Sequence, residues 1–440
     1  MRIGYCSPFK PLKTGIADFS EELVFALAQH VEIVIFSPVQ CTDEKIKNQF
    51  EIHTLRELDC DELRNSLDLL VYHVGNNVNY HGEIVKMMRK YPGVLEVHEI
   101  GLHHLAAAMY LEAEGKESYL KMVEYCHGKR GVRIAEGFFA GQCGAPWNDH
   151  ALDMCMARPV IESATAVIVH SEMVKQMVLG ICPEKPIVNI MLHAAEPPAI
   201  VDSVKYKRQM KLPENAIVFG SFGFATSAKR IIPTLDAVKK FREENRKDFV
   251  YLIVGEAEKD MKLAEQIQQR GLEENVVVTG FTELEDFKNY IGACDFCINL
   301  RYPTQGETSG SLHRMLGMGK PLIVTDIGTF GDYPDEIALK VRFDEHEVED
   351  IYQALCKMVN SQEEMQRRSF AAVEFAKIYC NLDTNAGHYA DFFRSIAEHT
   401  WQPEYEDVLI TRLCELGLST EEYLEHFSQL FDGIKTAGDV

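Results

Sequence analysis

Short apolar runs and amphipathic stretches take turns along most of the chain. Arg2–Cys6 reads as a buried strand, and a turn through Thr14-Gly15 leads into a helix predicted from Ile16 to about Gln29. On that helix Ile16, Phe19, Leu23 and Leu27 recur three or four residues apart, so they share one face. Strand-sized apolar runs follow at Ile33–Ser37, Leu69–Val74, Val94–His98, Ala166–His170 and Ile187–Met191. Helical patterns separate most of them. This alternation predicts βαβ units around a parallel sheet.

Ala195–Ile200 reads Ala-Glu-Pro-Pro-Ala-Ile, a linker signal. A second series then begins. Its strands are predicted at Ala216–Gly220, Phe249–Gly255, Asn275–Gly280, Phe296–Leu300 and Pro321–Asp326. Its helices are predicted at about Lys229–Glu244, Lys259–Arg270, Glu283–Ala293 and Ser311–Gly317. The expected class is therefore α/β, with two Rossmann-like, doubly wound parallel-sheet domains facing a cleft. Ligands of such sheets bind beyond the carboxyl ends of the strands. The predicted division is 1–198, 199–385 and a set of C-terminal helices over 386–440 that pack back on the first domain. A long helical insertion over about 102–158, broken at Gly128, Gly131, Gly137, Gly141 and Gly144, interrupts the first series. It reads equally as a plain structural lid and as an acceptor site.

Composition narrows the function classes. The 440 residues carry 45 Lys and Arg against 67 Asp and Glu, a net charge of −22. Such acidity disfavours non-specific nucleic-acid binding, which needs a basic surface against phosphates. It also disfavours docking on an anionic membrane. Nine acidic residues against two basic ones follow residue 400, so the C-terminal helices read either as a solvated surface or as a face for self-association or a partner protein. No apolar run approaches the ~18 residues that span a bilayer, and no leader-like apolar core opens the chain. Twelve Cys without a disulfide spacing fit a reducing cytoplasm. Cys294-Asp-Phe-Cys297 lies in an apolar run and reads as core thiols.

The stretch from Arg301 to Pro321 is the richest in candidate chemistry. It leaves a strand, runs through Gly306-Glu307-Thr308-Ser309-Gly310 and opens a helix at Ser311. Free N–H groups at a helix start favour an anion such as a diphosphate. Glycines at 306 and 310 let the backbone approach a ligand. An ordinary strand–loop–helix turn capped by Thr308 or Ser309 explains the stretch equally well.

With its companions, the stretch resembles the retaining glycosyltransferases of family 4, which have the GT-B fold. Lys13-Thr14-Gly15-Ile16-Ala17-Asp18-Phe19 resembles that family's glycine loop near donor phosphate and acceptor, which implicates Gly15 and Ile16. Gly220 to Arg230 resembles the opening of its donor domain, with Lys229 as the phosphate cation and Arg230 assisting. Val276 to Phe281 is similar to the strand and turn at the nucleotide base, which implicates Gly280 and Phe281. Glu307 to Pro321 resembles the donor-sugar loop and helix, which implicates Glu307, Thr308, Ser309, Gly310, Ser311 and Arg314. The family's usual pattern pairs two Glu eight positions apart; here Met315 stands eight beyond Glu307, and Arg314 occupies the place of the ribose Glu by the Gly319-Lys-Pro321 count. Ribose recognition and the donor base, UDP- or GDP-linked, stay open.

In the first domain, Val97-His98-Glu99 follows a strand and would reach the cleft. The resemblance places the family's motif histidine at His98, near the transferred sugar. Glu99, His103, His104 and Asn76 are acceptor-side candidates, although satisfied packing explains His103 as well, and turn chemistry explains Asn76. The His-Glu spacing is not that of a zinc helix motif, and Asp59-Cys60-Asp61 sits in a charged, solvated segment, so no metal site is expected.

What the resemblance implies is a hexosyltransferase-type enzyme with no cofactor besides its nucleotide-sugar substrate. It would act on a glycan, lipid-linked or protein acceptor hydroxyl with retention, as in polysaccharide synthesis. The rival reading is a catalytically inactive GT-B-fold partner subunit that binds a glycan or polypeptide, motivated by the missing second Glu. A sugar-nucleotide epimerase or phosphorylase on the same fold is a third.

Overall fold

The computed structural model describes residues 1–194, 198–244, 247–404 and 407. In the first domain the strands are β1 Arg2–Cys6, β2 Glu32–Ser37, β3 Glu51–Thr54, β4 Leu69–Val74, β5 Val94–Val97, β6 Ala166–Val169 and β7 Ile187–Asn189. The second domain has β8 Ile217–Phe222, β9 Phe249–Val254, β10 Val276–Gly280, β11 Phe296–Asn299, β12 Leu322–Thr325 and β13 Ala338–Val341. Pairing is parallel throughout, in the orders β3-β2-β1-β4-β5-β6-β7 and β10-β9-β8-β11-β12-β13. Each sheet therefore switches winding direction beside its first strand, between β1 and β4 and between β8 and β11. Such switch points open crevices at the carboxyl ends.

The expected α/β architecture of two doubly wound domains is present. Two strands escaped the reading, β3 and β13, and both are sheet edges. Glu51-Ile-His-Thr54 has no buried residue, so it lacks the apolar run that marks inner strands. One helix start is corrected. The helix predicted from Lys229 begins at Ile231, because Ser227–Lys229 forms a short 3-10 turn and Arg230 takes a left-handed φ of 55°. Lys229 is thus not a first-turn helical lysine but part of the loop that enters the helix.

The inserted segment between β5 and β6 has its own small core. Its long helix, Lys116–Phe139, breaks at Gly128, whose φ of 60° and ψ of −160° are not helical. Tyr119, Phe138, Phe139 and Trp147 pack as an aromatic cluster beside it.

Helix Gln362–Tyr379 stays with the second domain, and helix Leu382–Ala397 crosses back to the first. There Ala386, Tyr389, Ala390 and Phe393 share a core with Phe19, Leu23 and Leu27 of the first helix, Gly15–Leu27. The predicted linker lies partly outside the described residues, at 195–197, as does nearly all of the acidic segment after residue 404. Among the described residues no helix is long and apolar enough to cross a membrane.

Candidate functional site

The carboxyl ends of the two sheets meet around a cavity of about 260 Å³. Thr14, Gly15, Ile16, Phe19, Glu22, His98, Glu99, Leu192 and His193 line it from the first domain; Glu307, Thr308, Gly310 and Arg314 line it from the second. A larger cavity of about 690 Å³ lies at Leu67–Leu70, Pro92, Thr165 and Pro186, at the amino ends of β4 to β7. Ligands of doubly wound sheets bind at the opposite end, so the smaller cavity is the candidate site.

Two helix starts point into that cavity. Thr14 caps the first helix, its hydroxyl oxygen accepting from the Ile16 N–H at 3.4 Å. Ser309 caps the helix Gly310–Gly317, accepting from the Leu312 N–H at 3.3 Å. A Cβ added at Gly15 or Gly310 would meet nothing within 4 Å, so both glycines leave open space at the helix start. Gly306 is different. Its φ is +71° and a Cβ there would strike the Ile100 side chain at 2.6 Å, so its missing side chain makes room for the first domain, not for a ligand.

The loop between β11 and this second helix is held by its own carboxylate. Glu307 accepts from the Thr304 hydroxyl at 2.9 Å and the Gln305 N–H at 2.7 Å, and pairs with Arg301 at 3.0 Å. The Thr329 hydroxyl donates to the Glu307 carbonyl at 2.7 Å. Gln305 then reaches the first domain, its carbonyl accepting from the Gly101 N–H at 2.8 Å and its side chain pairing with Asn76.

Lys229 does not line the cavity. Its ammonium donates to the Phe222 carbonyl and lies over Gly223, where a Cβ would come within 2.6 Å of Nζ. Burial pushes its pKa down to about 7; the positive charge of Arg301 adds to this and Glu307 opposes it. Arg230 pairs with Glu347 through two bonds of 2.8 and 2.6 Å and stacks over Phe343, also away from the cavity. Arg314 does line it. Its Nη2 donates to Glu22 at 2.8 Å across the domains, and its Nη1 is buried without a partner. Glu22 also accepts from His193 at 3.1 Å.

The first domain contributes His98 and Glu99. Burial drives the His98 imidazole well below its ordinary pKa, so it is neutral at pH 7. Burial raises the Glu99 carboxyl to about 7; it accepts from the Asn76 N–H at 2.7 Å. Asn76 is spent on structure, since its side chain also accepts from the Leu105 N–H at 2.9 Å. His103 is buried in the insertion, bonded to the Tyr119 hydroxyl at 2.7 Å, and His104 is exposed beside Trp147. Neither lines the cavity. Gly280 ends the edge strand β10 and Phe281 follows it; Phe281 is 64% exposed, and Lys13 of the first domain sits 5.6 Å over its ring. The Ser309 hydroxyl donates to Asn299 at 3.2 Å and lies 3.0 Å from that of Ser311, inside the helix start.

Eight predicted residues thus share one cavity: Gly15, Ile16, His98, Glu99, Glu307, Thr308, Gly310 and Arg314. Thr14 and Phe19, of the predicted glycine loop, line it too; Glu22, Leu192 and His193 were not predicted. Glu22 stands three residues beyond Phe19 on the same helical side, a spacing that could have revealed it.

Residues 202–374 match the family model described as Glycosyl transferases group 1. The two-domain architecture is the GT-B fold. Sucrose-phosphate synthase from Thermosynechococcus elongatus superposes with a TM-score of 0.62 at 12% identity, over 91% of this chain and 100% of that one. HepE from Anabaena, solved with UDP, superposes with a TM-score of 0.62 at 13% identity, over 90% and 99%. WaaG, a glycosyltransferase involved in lipopolysaccharide biosynthesis, gives 0.56 at 13% identity, over 89% and 99%. No curated protein matches the chain by sequence.

Proposed function

We propose that this protein transfers a hexosyl group from a nucleotide-sugar donor to an acceptor hydroxyl, with retention of configuration. The observation that carries the reading is the convergence of two helix N-termini, at Gly15 and Gly310, on one interdomain cavity. Their free N–H groups and dipoles suit the phosphates of a donor. The donor binds the second domain and the acceptor the first. HepE, a neighbour in fold, was also solved with UDP-glucose, which supports a UDP-linked sugar as the first donor to try.

Breaking the bond to the donor phosphate builds negative charge on the departing oxygen. Fixed positive groups and N–H donors stabilise that charge best, since they need no rearrangement as the reaction proceeds. Lys229, behind the cavity wall, is assigned that role, and the unpartnered Nη1 of Arg314 on the wall itself is available to assist. Glu307 orders the donor-sugar loop and presents its remaining acceptor capacity to sugar hydroxyls. Neutral His98 offers a hydrogen bond to a hydroxyl on the other side. The acceptor attacks from the face that the phosphate leaves, and the departing phosphate takes its proton. No protein nucleophile and no metal-dependent step belong to this scheme.

Calorimetry and thermal shift against UDP- and GDP-sugars, with hydrolysis assays in the absence of acceptor, test the proposal. One nucleotide sugar is expected to bind and to be hydrolysed slowly. Absence of any shift with every nucleotide sugar tried would favour the non-catalytic partner subunit.

A further inference from the structure

Beneath the first domain's side of the cleft, four ionisable side chains meet without a lysine or arginine among them. His73 lies in β4, Glu96 in β5, and His98 and His170 just past β5 and β6. The parallel register sets His73 beside Glu96. Both are fully buried. His73 Nδ1 stands 3.2 Å from His98 Nε2 and 3.4 Å from Glu96 Oε2, and His98 Nε2 is 3.9 Å from Glu96 Oε1. The Tyr389 hydroxyl donates to Glu96 Oε1 at 2.9 Å, and His170 Nε2 lies 3.3 Å from that same oxygen. His170 Nδ1 is engaged by the Ile190 carbonyl at 2.8 Å. Glu96 Oε2, His73 Nε2 and His170 Nε2 are all buried without a hydrogen-bond partner.

A carboxylate so placed is costly unless something positive shares the site. We propose that a divalent first-row transition-metal ion, of the zinc class, binds His73 Nδ1, a Glu96 carboxylate oxygen and His98 Nε2. Zinc bonds of about 2.0–2.1 Å at tetrahedral angles put ligand atoms roughly 3.3 Å apart. The separations from His73 Nδ1 to His98 Nε2 and to Glu96 Oε2, 3.2 and 3.4 Å, bracket that length; with one oxygen from Glu96, all three ligand atoms lie within 4.8 Å of one another, so the carboxylate must close toward His98. Two imidazoles and one carboxylate suit zinc, iron or cobalt better than magnesium or calcium, which favour all-oxygen sets. Tyr389 then acts as the outer partner that orients the carboxylate. Tyr389 belongs to the crossing helix Leu382–Ala397, so the ion would tie β4 and β5 to that helix. It would also fix the His98 ring from below, leaving only Nδ1 for a ligand in the cleft.

Elemental analysis of the full chain, grown with zinc, iron and manganese, reads the site directly. About one equivalent of metal is expected, lost from His73→Ala and from Glu96→Gln. After chelation, Co²⁺ should restore one equivalent with visible ligand-field absorption, and Zn²⁺ should raise Tm by several degrees. Less than about a tenth of an equivalent, with neither Co²⁺ absorption nor a Zn²⁺ shift, overturns the proposal. So does full metal content in the His73→Ala/Glu96→Gln double variant, which would put the ion on other histidines. If the variants do not fold, chelation and reconstitution of the wild-type protein still decide. None of these readouts depends on nucleotide-sugar binding, so this proposal and the transferase reading fail separately.

Discussion

The two sheets share one winding and arm their carboxyl ends with opposite chemistry. At the carboxyl end of β4 and just beyond β5 and β6 the first domain gathers His73, His98 and His170, and His193 joins them past β7. Beyond β8 and β11 the second domain gathers Lys229, Arg301 and Arg314. Eleven of the 16 histidines precede residue 201, and this grouping gives part of that skew a physical account. Burial keeps the imidazoles of His73 and His98 neutral at pH 7, which suits hydroxyls or a metal. Guanidinium and ammonium groups suit phosphates. On the proposed reading, the same topology would serve two substrates because the residues at equivalent strand ends differ, not because the frames do.

The largest expected effect breaks the comparison on its cationic side. Lys229→Met should lower kcat by about 10²–10³, the usual loss for one fixed donor at a developing oxyanion. Circular dichroism should show an unchanged fold. Wild-type turnover in this variant would remove the cation from the chemistry. Glu307→Gln comes next. It keeps the bonds from Thr304 and the Gln305 N–H but gives up the ionic contact with Arg301. A hydrogen bond to a charged group is worth about 1.5–3 kcal/mol, so kcat/KM should fall roughly 10- to 100-fold. The loss should lie in kcat more than in KM if the loop is ordered for the transition state.

The third effect is a pH dependence with opposite signs for binding and for stability. The amine of Lys229 is held at about 7 against an unfolded value near ~10.4. Charging it in the folded protein is a penalty that is fully present below pH 7. The penalty fades as pH rises from about 7 toward ~10.4, so this group makes the ligand-free protein more stable across that window. Nucleotide affinity runs the other way, because the phosphates need the charged amine. UDP affinity should fall by up to about tenfold per pH unit above 7, with proton uptake on binding in calorimetry. Lys229→Met should flatten both slopes.

Most of the frame was legible, and the exceptions share a cause. Inner strands such as Phe249–Val254 are apolar on both faces and stand out as runs; the edge strands β3 and β13 are half-solvated and do not. The cleft residues that were legible sit where a strand ends or a helix begins, as His98, Gly15 and Glu307 do. Glu22 was hidden because a charged residue inside an amphipathic helix reads as solvated. His193 was hidden because its role depends on where the interdomain connection lands. Arg230 shows the converse: its place in the chain suggests a phosphate contact, yet Glu347, 117 residues away, holds its guanidinium.

The smallest effect sharpens the boundary between the two sets. Arg314 is a second-domain cation whose Nη2 is committed to Glu22 of the first domain, while Nη1 has no partner. Burial opposes ionisation of Glu22, yet His193 and Arg314 together hold its carboxyl below the usual range. The pair is mostly buried, with side chains 13% and 21% exposed, and it spans the cavity wall. If Arg314 serves donor phosphate, Glu22 competes with the ligand for it. Glu22→Gln should then tighten UDP binding about fivefold, on the order of 1 kcal/mol for one weakened ion pair. Arg314→Gln should loosen it by a similar factor. If Arg314 instead only joins the domains, both changes should weaken binding alike, since each would cut the same tie. The sign of the Glu22→Gln effect, read by calorimetry at pH 7, thus decides whether the cations of the second domain end at Lys229 or include Arg314.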